Sequence, residues 1–84
     1  MDVKKWLIAW FEKNADISAN EAEENASSSY FDKGWIDSFK FIMFVSDIEQ
    51  EFAISFSNEE FQNRDFSTIS GLAKIIEAKI HAKK

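Results

Sequence analysis

The sequence predicts an all-α fold: a four-helix bundle of three main helices, one short third helix and a long first loop. Three observations carry this. Large apolar residues recur at helical spacing in three separate segments. Good N-cap residues stand just ahead of those segments: Asp2, Asp37, and Ser67 or Thr68. No strand pair, internal repeat or interdomain linker interrupts the pattern, so residues 1–84 are expected to form a single domain.

In the first segment Val3, Trp6, Leu7, Trp10 and Phe11 form the stripe, with Lys4, Lys5, Glu12 and Lys13 mostly on the other side. Asp2 caps a helix running to about Asn14, and Ile8 falls off the stripe and is expected to be partly exposed. Residues 15–36 are poor in large apolar groups and read as a long loop, with a helical turn around Ala19 to Glu24. A loop beyond about 12–15 residues in a compact domain is usually functional or mobile. Ile17, Tyr30, Phe31, Trp35 and Ile36 are available to pin it to the core, and Lys33-Gly34 is its clear turn signal.

Asp37 opens the second main helix as its N-cap. Phe41, Phe44, Val45, Ile48 and Phe52 share one face. Burial of each contributes roughly 1.5–3 kcal/mol before the entropy cost, which makes this helix the centre of the core. Phe39, Ile42, Met43 and Ser46 lie on the opposite flank, which is either a contact surface or part of a wider buried face. After the link Ala53-Ile54-Ser55-Phe56, Ser57-Asn58-Glu59-Glu60 forms a capping box. The short helix it starts runs to about Asn63, with Phe61 expected to point inward, and Asp65-Phe66 reads as a linker. The last helix carries Ile69, Leu72, Ala73, Ile76 and Ile80. Gly71 weakens it by about 1 kcal/mol relative to alanine, which suggests a close approach, and Lys79, Lys83 and Lys84 complement its C-terminal dipole.

Composition narrows the function. A chain this short buries only about 60% of the surface it exposes unfolded, and nine phenylalanines and three tryptophans fill such a thin core with few residues. A net charge of −5 disfavours nucleic acid. There is no cysteine, hence no disulfide and no thiolate metal site. Residues 1–14 lack a signal-peptide pattern and no window is apolar enough to span a bilayer, so a cytoplasmic location is expected. Asn25-Ala26-Ser27 is a chance sequon on that reading. His81, beside Lys83 and Lys84, is a poor metal ligand set by itself, and Asp16, Glu21, Glu23 and Glu24 lack the pattern of a calcium loop. No metal site is expected.

The chemistry centres on Gly34-Trp35-Ile36-Asp37-Ser38-Phe39. A nucleophilic serine needs a positioned base, and the only histidine, His81, lies near the C-terminus. No catalytic residue is assigned and a hydrolase is excluded, so Ser38 reads as a place of attachment. Around it stand Phe31-Asp32-Lys33-Gly34-Trp35-Ile36-Asp37-Ser38-Phe39, then Ile48-Glu49-Gln50-Glu51-Phe52, Ile54-Ser55-Phe56 and Phe66-Ser67-Thr68-Ile69. On these residues the chain resembles the acyl carrier and peptidyl carrier proteins, most strongly from Tyr30 to Ile76. The Asp-Ser pair gains its specificity from its place in a helix pattern of the right length.

The resemblance implies that Ser38 receives 4′-phosphopantetheine from coenzyme A through a phosphopantetheinyl transferase. The arm's thiol then holds cargo as a thioester, loaded by a ligase or synthase. It also implies that Asp37 contacts Mg²⁺ in the transferase complex besides capping the helix, and that the protein is a monomeric carrier and not an enzyme. Two departures refine it. Phe39 stands where leucine is commonest, as in D-alanyl carrier proteins. The exposed side of the second main helix offers Lys40, Ile42, Met43 and Ser46 before Glu49 and Glu51, so it is less acidic than in fatty-acid carriers. These departures point to a specialised lipid, polyketide or related pathway. Trp35, Phe39, Ile42, Met43, Ser46 and Glu49 are the expected partner-recognition residues, with Trp35 equally readable as a loop anchor. The thirteen aromatic residues leave open whether the bundle encloses the cargo. The competing reading is a non-carrier helical interaction module that uses the apolar flank.

Overall fold

The computed structural model describes residues 2–82. Its elements are α1 (Val3–Asn14), α2 (Ala19–Glu24), α3 (Ser38–Phe52), α4 (Asn58–Phe61), a 3-10 turn (Arg64–Ser67) and α5 (Ile69–Ala82). The all-α bundle is as expected: three long helices, a short α4, and no strand among the described residues. Lys83 and Lys84 lie outside those residues, whereas Lys79 sits in the last turn of α5.

Side-chain caps start the helices, those of Asp2, Asp37 and Ser57 where the sequence places them and that of Ser18 in addition. Asp2 accepts from the Lys5 N–H, Ser18 from Glu21, Asp37 from Lys40 and Ser57 from Glu60, while Glu60 returns the bond to Ser57 in a complete capping box. At α5 it is Thr68 that caps, its hydroxyl accepting from the Gly71 N–H at 3.0 Å. The presumed linker at Asp65-Phe66 is instead the 3-10 turn, with the Asn63 side chain accepting from the Asp65 N–H. Gly71 explains its own presence: a Cβ there would meet the Asp65 carbonyl oxygen at 2.5 Å and its Cα at 2.7 Å. The close approach is to this turn.

The long first loop is sewn to the far end of the chain. Tyr30 N–H donates to the Ser67 carbonyl at 3.0 Å, Ser70 N–H to the Ala26 carbonyl at 2.9 Å, and Ser29 and Thr68 form an isolated antiparallel bridge. The fully buried Tyr30 hydroxyl donates to the Phe66 carbonyl, as a buried phenol requires, and burial pushes its pKa well above the ordinary tyrosine value. Tyr30, Trp35 and Ile36 are buried anchors as expected, but Phe31 stays exposed, with its ring against Tyr30 and Phe41.

The core gathers Leu7, Phe11, Tyr30, Phe44, Ile48, Ile69, Leu72 and Ile76, all fully buried. Close backbone approaches join α1 to α2 and α5, and α5 to the 3-10 turn. Ile8 is buried, contrary to expectation, on a helix whose apolar arc packs against α2, α3 and α5 and so is wider than one stripe. Rings seat α3: Phe44 lies 4.4 Å from Trp10, 5.0 Å from Phe11 and 5.9 Å from Tyr30, centroid to centroid. Only Phe44 and Ile48 of its five-residue face are buried. Phe41, Val45 and Phe52 are half-buried at the rims of that face. Phe61 also departs from expectation, being 40% exposed on a four-residue helix too short to turn it fully inward.

Candidate functional site: the serine that opens α3

Gly34 turns the chain with φ +74°, a conformation that a residue with a Cβ resists. The Trp35 N–H then donates to the Tyr30 carbonyl at 3.1 Å, closing the loop, and Trp35 and Ile36 plug into the core. This double anchor fixes where the next residues emerge. Asp37 is extended, its Oδ1 accepting from the Lys40 N–H at 2.8 Å and its carbonyl from the Phe41 N–H at 2.9 Å. Ser38 follows as the first residue of α3, exposed to solvent.

Lys40 braces this first turn against α1, its Nζ donating to the Asn14 carbonyl at 3.0 Å. A cation near a helix N-terminus is unfavourable; here the ammonium is drawn toward the carbonyl end of α1, where it is favoured. Behind it the Trp10 indole N–H donates to Asp47 at 2.8 Å, a second tie between α1 and α3. Neither tie was read from the sequence. The signal for the second was available, since a buried indole N–H needs an acceptor.

The expected partner-facing residues separate into two groups. Phe39 is 77% exposed, Ile42 70% and Met43 49%, with Ser46 exposed beside them. The alternative of a wider buried face is thereby excluded. Trp35 does not belong to this surface: at 8% exposure, with its ring 5.8 Å from Phe11, it is the loop anchor. Glu49 is half-buried and engaged, its Oε2 accepting from the Phe56 N–H at 3.0 Å. Its carboxylate holds the link after α3 in place.

Chemically, the site offers an exposed hydroxyl with no base beside it, since the only histidine, His81, stands exposed in the last turn of α5. No cluster able to hold a metal ion occurs among the described residues. The first-turn amides of α3 have no intrahelical acceptor, and the positive end of the helix dipole lies beside the hydroxyl. Those features suit a phosphate ester on Ser38. After the bond to Lys40, the Asp37 carboxylate retains lone pairs for a hard cation.

A bundle whose central helix begins with an exposed, capped, baseless serine is the architecture of a carrier domain. The chain belongs to the family of phosphopantetheine attachment-site proteins, whose family model matches residues 5–76. Domains of this family bear covalent 4′-phosphopantetheine and are carriers, not catalysts. They are served by phosphopantetheinyl transferases and by synthase or ligase enzymes. No curated protein and no solved structure matches the chain. Among the described residues no helix is long and apolar enough to cross a membrane.

Proposed function

We propose that residues 1–84 form a single carrier domain, with 4′-phosphopantetheine attached to Ser38 and an acyl or aminoacyl cargo held on the arm as a thioester. The observation that carries this reading is Ser38 itself, exposed as the first residue of α3 behind the capping Asp37. The fixed exit of the loop, through Gly34 and Trp35, presents that hydroxyl in one place. Phe39, Ile42, Met43 and Ser46 form the surface that meets a transferase and the cargo enzymes. Asp37 contributes a Mg²⁺ contact in the transferase complex. The protein works as a cytoplasmic monomer in a specialised lipid, polyketide or related pathway. The less acidic α3, with Glu49 engaged at Phe56, supports partners other than the basic-patch enzymes of bulk fatty-acid synthesis.

Co-expression with a phosphopantetheinyl transferase tests the reading. Intact mass should rise by one phosphopantetheine and Ser38→Ala should abolish the addition. An unmodified parent, or modification that survives Ser38→Ala, would sink it. The exposed apolar flank of α3 favours one other reading, a helical interaction module without an arm. That module predicts partner binding indifferent to Ser38→Ala and a protein that is never modified.

A further inference from the structure

A cleft of about 590 Å³ opens between α1 and α3. Trp6, Trp10 and Lys13 line it from α1, and Asp47, Gln50 and Glu51 from α3. The two helices run antiparallel along it. Lys40 meets the Asn14 carbonyl at one end, Trp10 meets Asp47 in the middle, and the Trp6 ring lies 5.3 Å from Phe52 at the other end. Counted from Ser38, Asp47 falls at i+9, two and a half turns on at about 3.6 residues per turn, so it faces the other side of α3.

The α3 wall of the cleft carries negative charge that no ion pair neutralises. Asp47 and Glu51 stand at i and i+4, where like charges on one helix repel. Glu51 also lies in the last turn of α3, at the negative end of the helix dipole, and that turn holds no basic residue. The ion pair among the described residues is Glu60 with Lys79, so neither carboxylate has a cation in contact, Lys13 included. Trp10 is buried and donates its indole N–H to Oδ2 of Asp47 at 2.8 Å, which leaves Oδ1 to accept from elsewhere. Trp6 is half-buried, and Gln50 and Glu51 are exposed.

We propose that this cleft is a docking site for an arginine of a partner protein, whose guanidinium lies against Trp6 and bonds to Asp47 and Glu51. Charge complementarity selects the occupant, since a cation is what the two carboxylates and the end of α3 lack. The indole selects the kind of cation. A guanidinium is planar, weakly hydrated and stacks on aromatic faces, whereas an ammonium holds its water more tightly. A metal ion does not suit the place, because no group of three ligating side chains able to hold one occurs among the described residues. Lys13, at the Asn14 end, repels the incoming charge and steers it toward Glu51. A partner seated here leaves the far side of α3 uncovered, so the cleft tethers the domain while Ser38 is served by another protein.

The test titrates the full chain with an acetylated glycyl-arginyl-glycinamide peptide at constant ionic strength and follows the indole N–H resonances of the three tryptophans. Trp6 and Trp10 should shift and saturate, while Trp35, the loop anchor, stays in place. The lysine peptide should bind about threefold more weakly, and the citrulline peptide, which keeps the shape but not the charge, should not bind. Glu51→Gln should weaken the arginine peptide about threefold. Adding Asp47→Asn, which still accepts from Trp10, should bring the loss to about tenfold. Lys13→Gln should tighten binding. No saturable shift at either indole, an equal response to citrulline, or indifference to both carboxylate variants would overturn the site. Weaker binding by Lys13→Gln would overturn it in favour of an anionic occupant. Phosphopantetheinylation of Ser38 should run at an unchanged rate with the peptide saturating, and a block would overturn the tethering role. The titration needs no arm, so a chain that is never modified refutes the carrier reading and leaves the cleft to the indole shifts.

Discussion

One substitution can separate the capping role of Asp37 from the metal role proposed for it. Its Oδ1 caps α3 through the Lys40 N–H, and its charge is what a divalent cation in a transferase complex needs. Asparagine caps about as well as aspartate but brings no charge. Asp37→Asn should therefore leave the unfolding free energy from urea titration within about 0.5 kcal/mol of the parent while slowing Mg²⁺-dependent phosphopantetheinylation at least about tenfold, a difference of about 1.4 kcal/mol. Asp37→Ala should lose both, including about 1 kcal/mol of stability. Equal rates for parent and Asp37→Asn would remove the metal role. At this scale much was legible. A capping aspartate before an apolar stripe acts within one turn, so adjacent residues suffice to read it. Trp35 was not legible, because anchor and partner contact differ only in which way the loop lies, and residues far along the chain decide that.

Among the described elements, α4 is held to α5 by an ion pair, Glu60 with Lys79. Burial pushes the Glu60 carboxyl up, but hydrogen bonds from Lys79 and Ser57 outweigh it and hold the pKa below its ordinary value of 4.5. A depressed folded-state pKa means that the contribution is present above the ordinary carboxylate value and is lost as pH falls through the folded one. Glutamine keeps the N3 position of the capping box and removes only the charge. The stability gap between parent and Glu60→Gln should be small, about 0–1 kcal/mol for so exposed a pair. It should close as pH is lowered from about 6 to about 3. A gap constant with pH, in parallel urea titrations, would assign α4 to its phenylalanines alone. The capping box was readable because its residues are three apart. The 3-10 turn was not, because Asp65-Phe66 carries no periodicity, and its place depends on Gly71 six residues on and on Tyr30 in the first loop.

For the whole molecule, the net charge of −5 and the apolar flank make opposite demands on a partner. The flank from Phe39 to Ser46 contains one charged residue, Lys40, and its ammonium is turned to Asn14. Binding through Phe39, Ile42 and Met43 should then depend little on salt, since screening acts on charges. A transferase KM should change less than about threefold between roughly 50 and 500 mM salt. Phe39→Ala should raise it about tenfold, in line with loss of an aromatic interface anchor. A steep salt dependence with an indifferent Phe39→Ala would move the interface to the acidic surfaces.

The sequence by itself determined the three long helices, the caps Asp2, Asp37 and Ser57 and the serine at the head of the central helix, because these rest on interactions within a turn or two and on period. It also carried the family resemblance, since that lies in ordered local motifs. Only the tertiary structure decided which faces are covered. It buried Ile8 and Trp35, left Phe31 and Phe61 at the surface, engaged Glu49 at the Phe56 N–H, and set Phe41, Phe61 and Phe66 ring against ring. Apolar composition tells that a ring will seek cover; where the cover comes from depends on neighbours tens of residues away.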